Sequence, residues 1–109
     1  MKFYYVYILL CADESFYIGI TSNLERRLIE HKTGKSNYTS QRLPVKLKWN
    51  VACTNPDEAI RIEKQLKGWS RRKKQALIDE RWDDLVEFSK NYTENKNIRI
   101  KKLSSTGSD

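Results

Sequence analysis

Metal-binding side chains are scarce in this 109-residue chain, which has two cysteines, Cys11 and Cys53, a single histidine, His31, and no CxxC pair. That supply excludes a structural zinc site, which needs clustered thiolates and imidazoles at fixed spacing. The cysteines fall in different expected strands among apolar neighbours and read as reduced core thiols. No apolar run approaches the roughly 20 residues that span a bilayer. The N-terminus lacks the basic region, apolar stretch and small-residue site of a secretory signal. Cytoplasmic residence, with no membrane partner, is therefore expected. The chain contains no internal repeat.

Charge, by contrast, is plentiful. Hydrophobic residues make up 39% and charged residues 32%, and the apolar ones cluster in strand-like and helix-like segments. This pattern belongs to a folded domain with an economical core. One domain fits the length, and it is expected over residues 1–90. Residues 91–109 are polar and aperiodic and read as a flexible tail. A net charge of +7 calls for an anionic partner, of which nucleic acid is the commonest for such a domain.

Two aromatic and β-branched runs, Tyr5 to Leu10 and Ser15 to Thr21, flank the polar turn Ala12-Asp13-Glu14. They predict a β-hairpin. If opposed residue numbers sum to an even value, Tyr7 and Tyr17 project from one face, because the side-chain period of a strand is two. Ser22-Asn23-Leu24-Glu25 reads as a capping box that starts a helix running to about Lys32 or Thr33, with Gly34 as its left-handed terminator. Leu24 and Leu28 form the apolar stripe of that helix. Arg27 and His31, four residues apart, share one flank of it.

Lys35 to Pro44 is rich in polar and turn-forming residues and reads as a loop from which Tyr38 and Arg42 can reach a phosphate backbone. Val45 to Cys53 reads as a third strand. A helix then starts at Asn55, with Pro56 in its first position and two acids, Asp57 and Glu58, in its first turn. Ala59, Ile62, Leu66 and Trp69 recur at helical spacing and should face the core. Glu63 falls within the same arc, where a carboxylate is costly to desolvate unless a metal ion or a cation pairs with it. The basic cluster Arg71-Arg72-Lys73-Lys74 is either a solvated helix face or a phosphate-contacting edge. Trp82, Leu85, Val86 and Phe88 suggest a last amphipathic segment.

Taken in order, Tyr5-Val6-Tyr7, Tyr17-Ile18-Gly19, Asn23-Leu24-Glu25-Arg26-Arg27, His31 and the helical Glu63 resemble the GIY-YIG nuclease domain, most of all its small single-domain members. The resemblance covers roughly Lys2 to Leu77. It implies an α+β fold of order β-β-α-β-α-α, a small three-stranded antiparallel sheet flanked by helices. It also implies a nuclease that hydrolyses nucleic-acid phosphodiesters with one divalent ion, Mg2+ or Mn2+, leaving 5′-phosphate and 3′-hydroxyl ends. Structure-selective or weakly specific DNA cleavage in repair or processing is the expected task.

By the same resemblance Tyr7, Tyr17, Arg27, His31 and Glu63 are the catalytic set, with Glu63 as the metal ligand. Tyr38, Arg42, Arg71, Arg72, Lys73 and Lys74 are expected to contact nucleic acid. The first motif departs from the family pattern, with Tyr5 in place of glycine and Val6 in place of isoleucine. One carboxylate suffices for Mg2+, which keeps several waters and shares phosphate oxygens, and the planar donor fork of Arg27 suits a charged phosphate. Tyr7 is expected as general base only where the neighbouring cation and the metal favour its phenolate or where its proton moves on through a water, with His31 orienting it or assisting proton transfer. Two alternatives stand beside this reading: a non-cleaving nucleic-acid-binding module, and a nuclease subunit activated by a partner.

Overall fold

A computed structural model describes residues 2–83 and Leu85. Val86, Phe88 and the expected tail at 91–109 lie outside the described residues, as does the end of the expected domain at residue 90. The elements are β1 (Tyr4–Leu10), β2 (Phe16–Thr21), α1 (Leu24–Lys32), α2 (Asn37–Ser40), β3 (Lys46–Cys53), α3 (Pro56–Lys67) and α4 (Arg71–Ile78). The chain divides after Gly68 into two compact units. The first holds the sheet and α1 to α3, and the second begins at Trp69.

The three strands form one antiparallel sheet in the order β2-β1-β3. Central β1 is the most apolar strand, and Val6, Tyr7, Ile8 and Leu9 are all buried. Successive strand residues face opposite ways, so both faces of β1 are covered. On one face Tyr7, Leu9, Cys11 and Val45 form a cluster against which Tyr17, Leu24 and Leu28 pack, so α1 lies here. Helix α3 lies against β1 and β2 and buries Ala59, Ile62 and Leu66. Strand β3 is a mostly exposed edge, and its register against β1 slips between Ile8 and Leu9, where Trp49 and Leu47 are the respective partners and Lys48 is the extra residue. The two cysteines are free and buried, as expected.

The hairpin register pairs Tyr7 with Gly19 and Leu9 with Tyr17, so opposed numbers sum to an even value and both phenols share a face. Several local expectations shift. Helix α1 is capped by Asn23, whose side chain accepts from the Arg26 amide at 3.0 Å; the start lies one residue later than a Ser22 capping box would place it. The short Asn side chain is as good a cap as serine and here stands next to the first helical turn. Gly34, at φ +83°, supplies the expected left-handed residue. The segment read as a loop contains the one-turn helix α2. Trp69 is not on α3, which ends at Lys67 with Gly68 as its cap, so the helical spacing that included Trp69 ran past the true terminus.

Candidate active site

Tyr7 stands at the centre of the site, 1% exposed on the middle strand. Its ring occupies the space left by the missing side chain of Gly19 across the hairpin: a Cβ there would lie 2.6 Å from the phenol oxygen and 2.8 Å from Cζ. The glycine of the second motif is thus a seat for the Tyr7 ring, one strand over, and its role is steric. Tyr17 sits beside it at a centroid distance of 6.2 Å.

Helix α1 brings two groups to these phenols. His31 is the only buried residue of α1, deeper than the half-buried Leu24 and Leu28 that define the apolar stripe. Its Nε2 is 2.8 Å from the Tyr7 hydroxyl and its Nδ1 is 2.8 Å from the Thr39 hydroxyl. Its ring meets both Tyr7 and Tyr17 edge-on. Burial pushes the imidazole down from 6.5 to about 4, and the Arg27 charge adds to the effect, so His31 is neutral at pH 7.

Arg27 is half-buried, and Nη1 donates to Glu30 Oε1 at 2.8 Å. That bond holds the guanidinium well above its ordinary value, and interactions with the phenols of Tyr7 and Tyr17 secure its charge further. Glu30 is held low, chiefly by the Arg27 hydrogen bond. The Tyr7 phenol, in contrast, is pushed up to about 12: burial outweighs the pull of Arg27, while Tyr17 and Glu63 oppose ionisation. Tyr7 therefore rests as a phenol, and the neighbouring cation alone does not create a phenolate.

Glu63 arrives on the third turn of α3. It is half-buried, its charge is felt at Tyr7, and its carboxylate is paired with Lys67 Nζ at 3.0 Å. The cation that the sequence demanded for a carboxylate on a buried arc is therefore present within the chain. Among the described residues no group of three or more His, Cys, Asp or Glu side chains could hold a metal ion. A lone carboxylate suits a hydrated, oxygen-seeking ion such as Mg2+ or Mn2+ and does not suit zinc. The donor set fits the expected ion, provided Lys67, which is exposed, yields its partner.

Tyr38 and Arg42 lie next to this centre, and other protein groups engage both. Tyr38 packs on Tyr17 at 5.6 Å and donates to Ser15 Oγ at 3.1 Å. Arg42 lies over the Tyr38 ring at 3.9 Å, donates to the Tyr38 carbonyl and pairs with Asp13 at 3.0 Å. The Ala12 amide donates to the Arg42 carbonyl at 2.8 Å. These bonds tie the α2 segment to the hairpin turn and thereby set Thr39 against His31. Thr39 and Glu30 are the residues that sequence reasoning missed. Glu30 had a signal, its spacing of three from Arg27 on a helix; Thr39 had none within a polar, aperiodic stretch.

In the second unit, Arg71 and Arg72 are exposed on α4, which Ser70 caps. Lys73 is buried with its Nζ 4.4 Å from the centre of the Trp69 ring, and burial lowers Lys74 with help from Arg71. The four basic residues are therefore not one uniform solvated face.

The family model described as the GIY-YIG catalytic domain matches residues 3–76. A UPF0213 protein of Lacticaseibacillus paracasei is 40% identical over 80 residues, spanning 72% of this chain and 90% of the relative. A UPF0213 protein of Staphylococcus haemolyticus is 42% identical over 82 residues, 74% of this chain and the whole of the relative. The solution NMR structure of a UPF0213 protein from Bacillus halodurans is 37% identical and covers 95% of this chain and 99% of its own, with a TM-score of 0.48.

Proposed function

The chain belongs to the GIY-YIG family, and from that premise we propose that it is a divalent-metal-dependent endonuclease that hydrolyses phosphodiester bonds in nucleic acid. The observation that carries this reading is the convergence of two phenols, a guanidinium and a neutral imidazole at one place, with the Glu63 carboxylate acting on it. A structural cluster gains little from such an arrangement, since holding the Arg27 charge partly out of water beside the Tyr7 phenol costs desolvation that a surface site would avoid.

Each side chain then has a task. Arg27, fixed by Glu30, offers the remaining donors of its fork to the non-bridging oxygens of the scissile phosphate as negative charge builds there. Tyr17 orients the phosphate or the attacking water through its hydroxyl. Tyr7 handles the proton of that water, a service worth about 10² to 10⁴ in rate. Because Tyr7 rests as a phenol, this service depends on added positive charge at the site. Glu63 would hold a single Mg2+ or Mn2+ ion, which when bound supplies Lewis-acid stabilisation of the phosphate charge.

DNA is the proposed substrate class, cut with structure selectivity or weak sequence preference in repair or processing. Arg71 and Arg72 are the proposed backbone contacts of the second unit, with Lys73 and Lys74 contributing charge from more buried positions. Tyr38 and Arg42 are proposed to steer a strand past Tyr17.

The test is a panel of duplex, flap, branched and single-stranded DNA incubated with the full chain and Mg2+ or Mn2+. Cleavage leaving 5′-phosphate ends, abolished by Tyr7→Phe or reduced by about two orders of magnitude, supports the enzyme. Binding without cleavage of any member supports a non-cleaving module instead.

A further inference from the structure

Tyr5 stands two residues before Tyr7 on β1, so both side chains project from the face of the sheet that α1 covers. Tyr7 is enclosed there, whereas Tyr5 is half-buried. Between Tyr5 and the start of α1 lies a cavity of about 460 Å³, lined by Tyr5, Ser22, Asn23, Leu24, Glu25 and Leu28. Leu24 and Leu28 also pack against the Tyr7 cluster, and the Asn23 carbonyl accepts from the Arg27 amide at 3.0 Å. The cavity therefore adjoins the candidate active site, with its Asn23 wall one helical turn before Arg27.

Tyr5 stands where the GIY-YIG pattern has glycine, so this aromatic wall is an addition to that pattern. Phe3 extends it at a centroid distance of 6.4 Å and is itself 37% exposed. The partner of Tyr5 on β3 is Ala52, which is exposed and too small to cover the ring. Two rings with an open flank give a flat ligand a surface to stack on.

The polar groups of the cavity are free to read such a ligand. Among the described residues the side chains of Ser22 and Glu25 make no hydrogen bond or ion pair. Asn23 uses Oδ1 to accept from the Arg26 amide, which leaves its side-chain N–H groups to donate. The first turn of α1 accounts for an acid at Glu25 but not for the aromatic wall beside it. A carboxylate repels phosphate, so the sugar–phosphate chain is kept out of the cavity while an uncharged base can enter. Glu25 accepts from an exocyclic amine, and Asn23 can donate to the ring nitrogen next to it. Cytosine and adenine carry that pair of groups on the edge that unpairing frees; thymine has a carbonyl in place of the amine.

We propose that this cavity is a subsite for one unpaired nucleobase beside the scissile phosphate, with Tyr5 as its stacking face and Glu25 and Asn23 reading an amine next to a ring-nitrogen acceptor, as on cytosine or adenine. Its place relative to the cut rests on the nuclease reading above; the binding of the base does not.

The test uses the full chain in metal-free buffer with a chelator, so that nothing is cut, and labelled single strands of oligo-dC, oligo-dA, oligo-dT and an abasic chain of the same length. Oligo-dC and oligo-dA are expected to bind about tenfold tighter than oligo-dT, and the abasic chain more weakly still. Tyr5→Ala is expected to weaken oligo-dC binding about tenfold and Tyr5→Phe to retain it, while Glu25→Ala erases the preference over oligo-dT. In the methyl-labelled wild type, the Leu24 and Leu28 resonances should shift with oligo-dC and stay in place with the abasic chain, a readout that needs no variant to fold. Unmoved methyls, equal wild-type affinity for oligo-dC and oligo-dT, or wild-type affinity in Tyr5→Ala each overturn the subsite, as does failure to bind oligo-dC. Shifted methyls in a protein that cuts no member of the DNA panel uphold the subsite and overturn the nuclease reading alone.

Discussion

Tyr7 and Gly19 face each other across the first two strands, and the position of a Cβ on Gly19 lies 2.6 Å from the Tyr7 phenol oxygen. Gly19→Ala must therefore move the Tyr7 ring or spread the strands. Overpacking of this kind costs about 1–3 kcal/mol, and a displacement of about 1 Å at a reacting group costs about a hundredfold in rate. The expected result is a modest loss in thermal stability with a much larger loss in single-turnover cleavage. Wild-type turnover in Gly19→Ala would remove the steric role of this glycine.

His31 links stability to pH. Its folded value of about 4 lies below the ordinary 6.5, so as pH falls from 6.5 the unfolded chain takes up a proton that the folded chain refuses. The contribution is fully present above pH 6.5, declines as pH falls towards 4, and is lost below it. The total is about 3 kcal/mol at about 1.4 kcal/mol per pH unit. Urea unfolding at a series of pH values measures the slope, and the imidazole C–H resonance measures the midpoint. Titration of the folded protein near 6.5 would contradict the burial argument.

Glu63 cannot bind a metal ion while fully committed to Lys67. The pair is partly exposed and worth about 0.2–1 kcal/mol. Lys67→Met is therefore expected to lower the Mg2+ concentration at half-maximal cleavage by about two- to fivefold, without changing the rate at saturating metal. An unchanged or increased metal requirement would show that Lys67 does not compete.

Arg27→Ala is expected to reduce kcat by about a hundredfold or more, as removal of a donor to developing charge does elsewhere. Glu30→Gln, which leaves the guanidinium in place but loosens its anchor, should cost about two- to fivefold. Equal losses in the two variants would mean that Glu30 has a direct chemical part.

Much of this site was legible in the sequence because its residues sit on periodic elements. The alternation of the two opening runs put Tyr7 and Tyr17 on one face, and the spacing of four put Arg27 and His31 on one flank. The arc of α3 marked Glu63 as a carboxylate in need of a cation, although its partner proved to be Lys67, one turn along the same helix. The strands and the longer helices followed from the same patterns, the fold class followed from the family resemblance, and the one-turn α2 was read as loop. What stayed hidden were relations across elements. No local pattern shows that Gly19 houses a ring from another strand, or that burial would carry Tyr7 up to about 12 and leave it a phenol. Thr39 lay in a polar stretch whose one-turn helix has no amphipathic period, and it reaches His31 because Arg42 and Asp13 fasten that stretch to the hairpin turn. Trp69 kept the helical spacing of α3 after Gly68 had ended the helix.

The central claim is that Glu63 and the phenol–guanidinium cluster form one metal-dependent hydrolytic centre. Its most direct test compares wild type and Glu63→Gln, purified identically, on the DNA panel with Mg2+ or Mn2+. The predicted result is metal-dependent cleavage by the wild type and none by Glu63→Gln, with folding and nucleic-acid binding retained in both. Equal cleavage by the two proteins would contradict it.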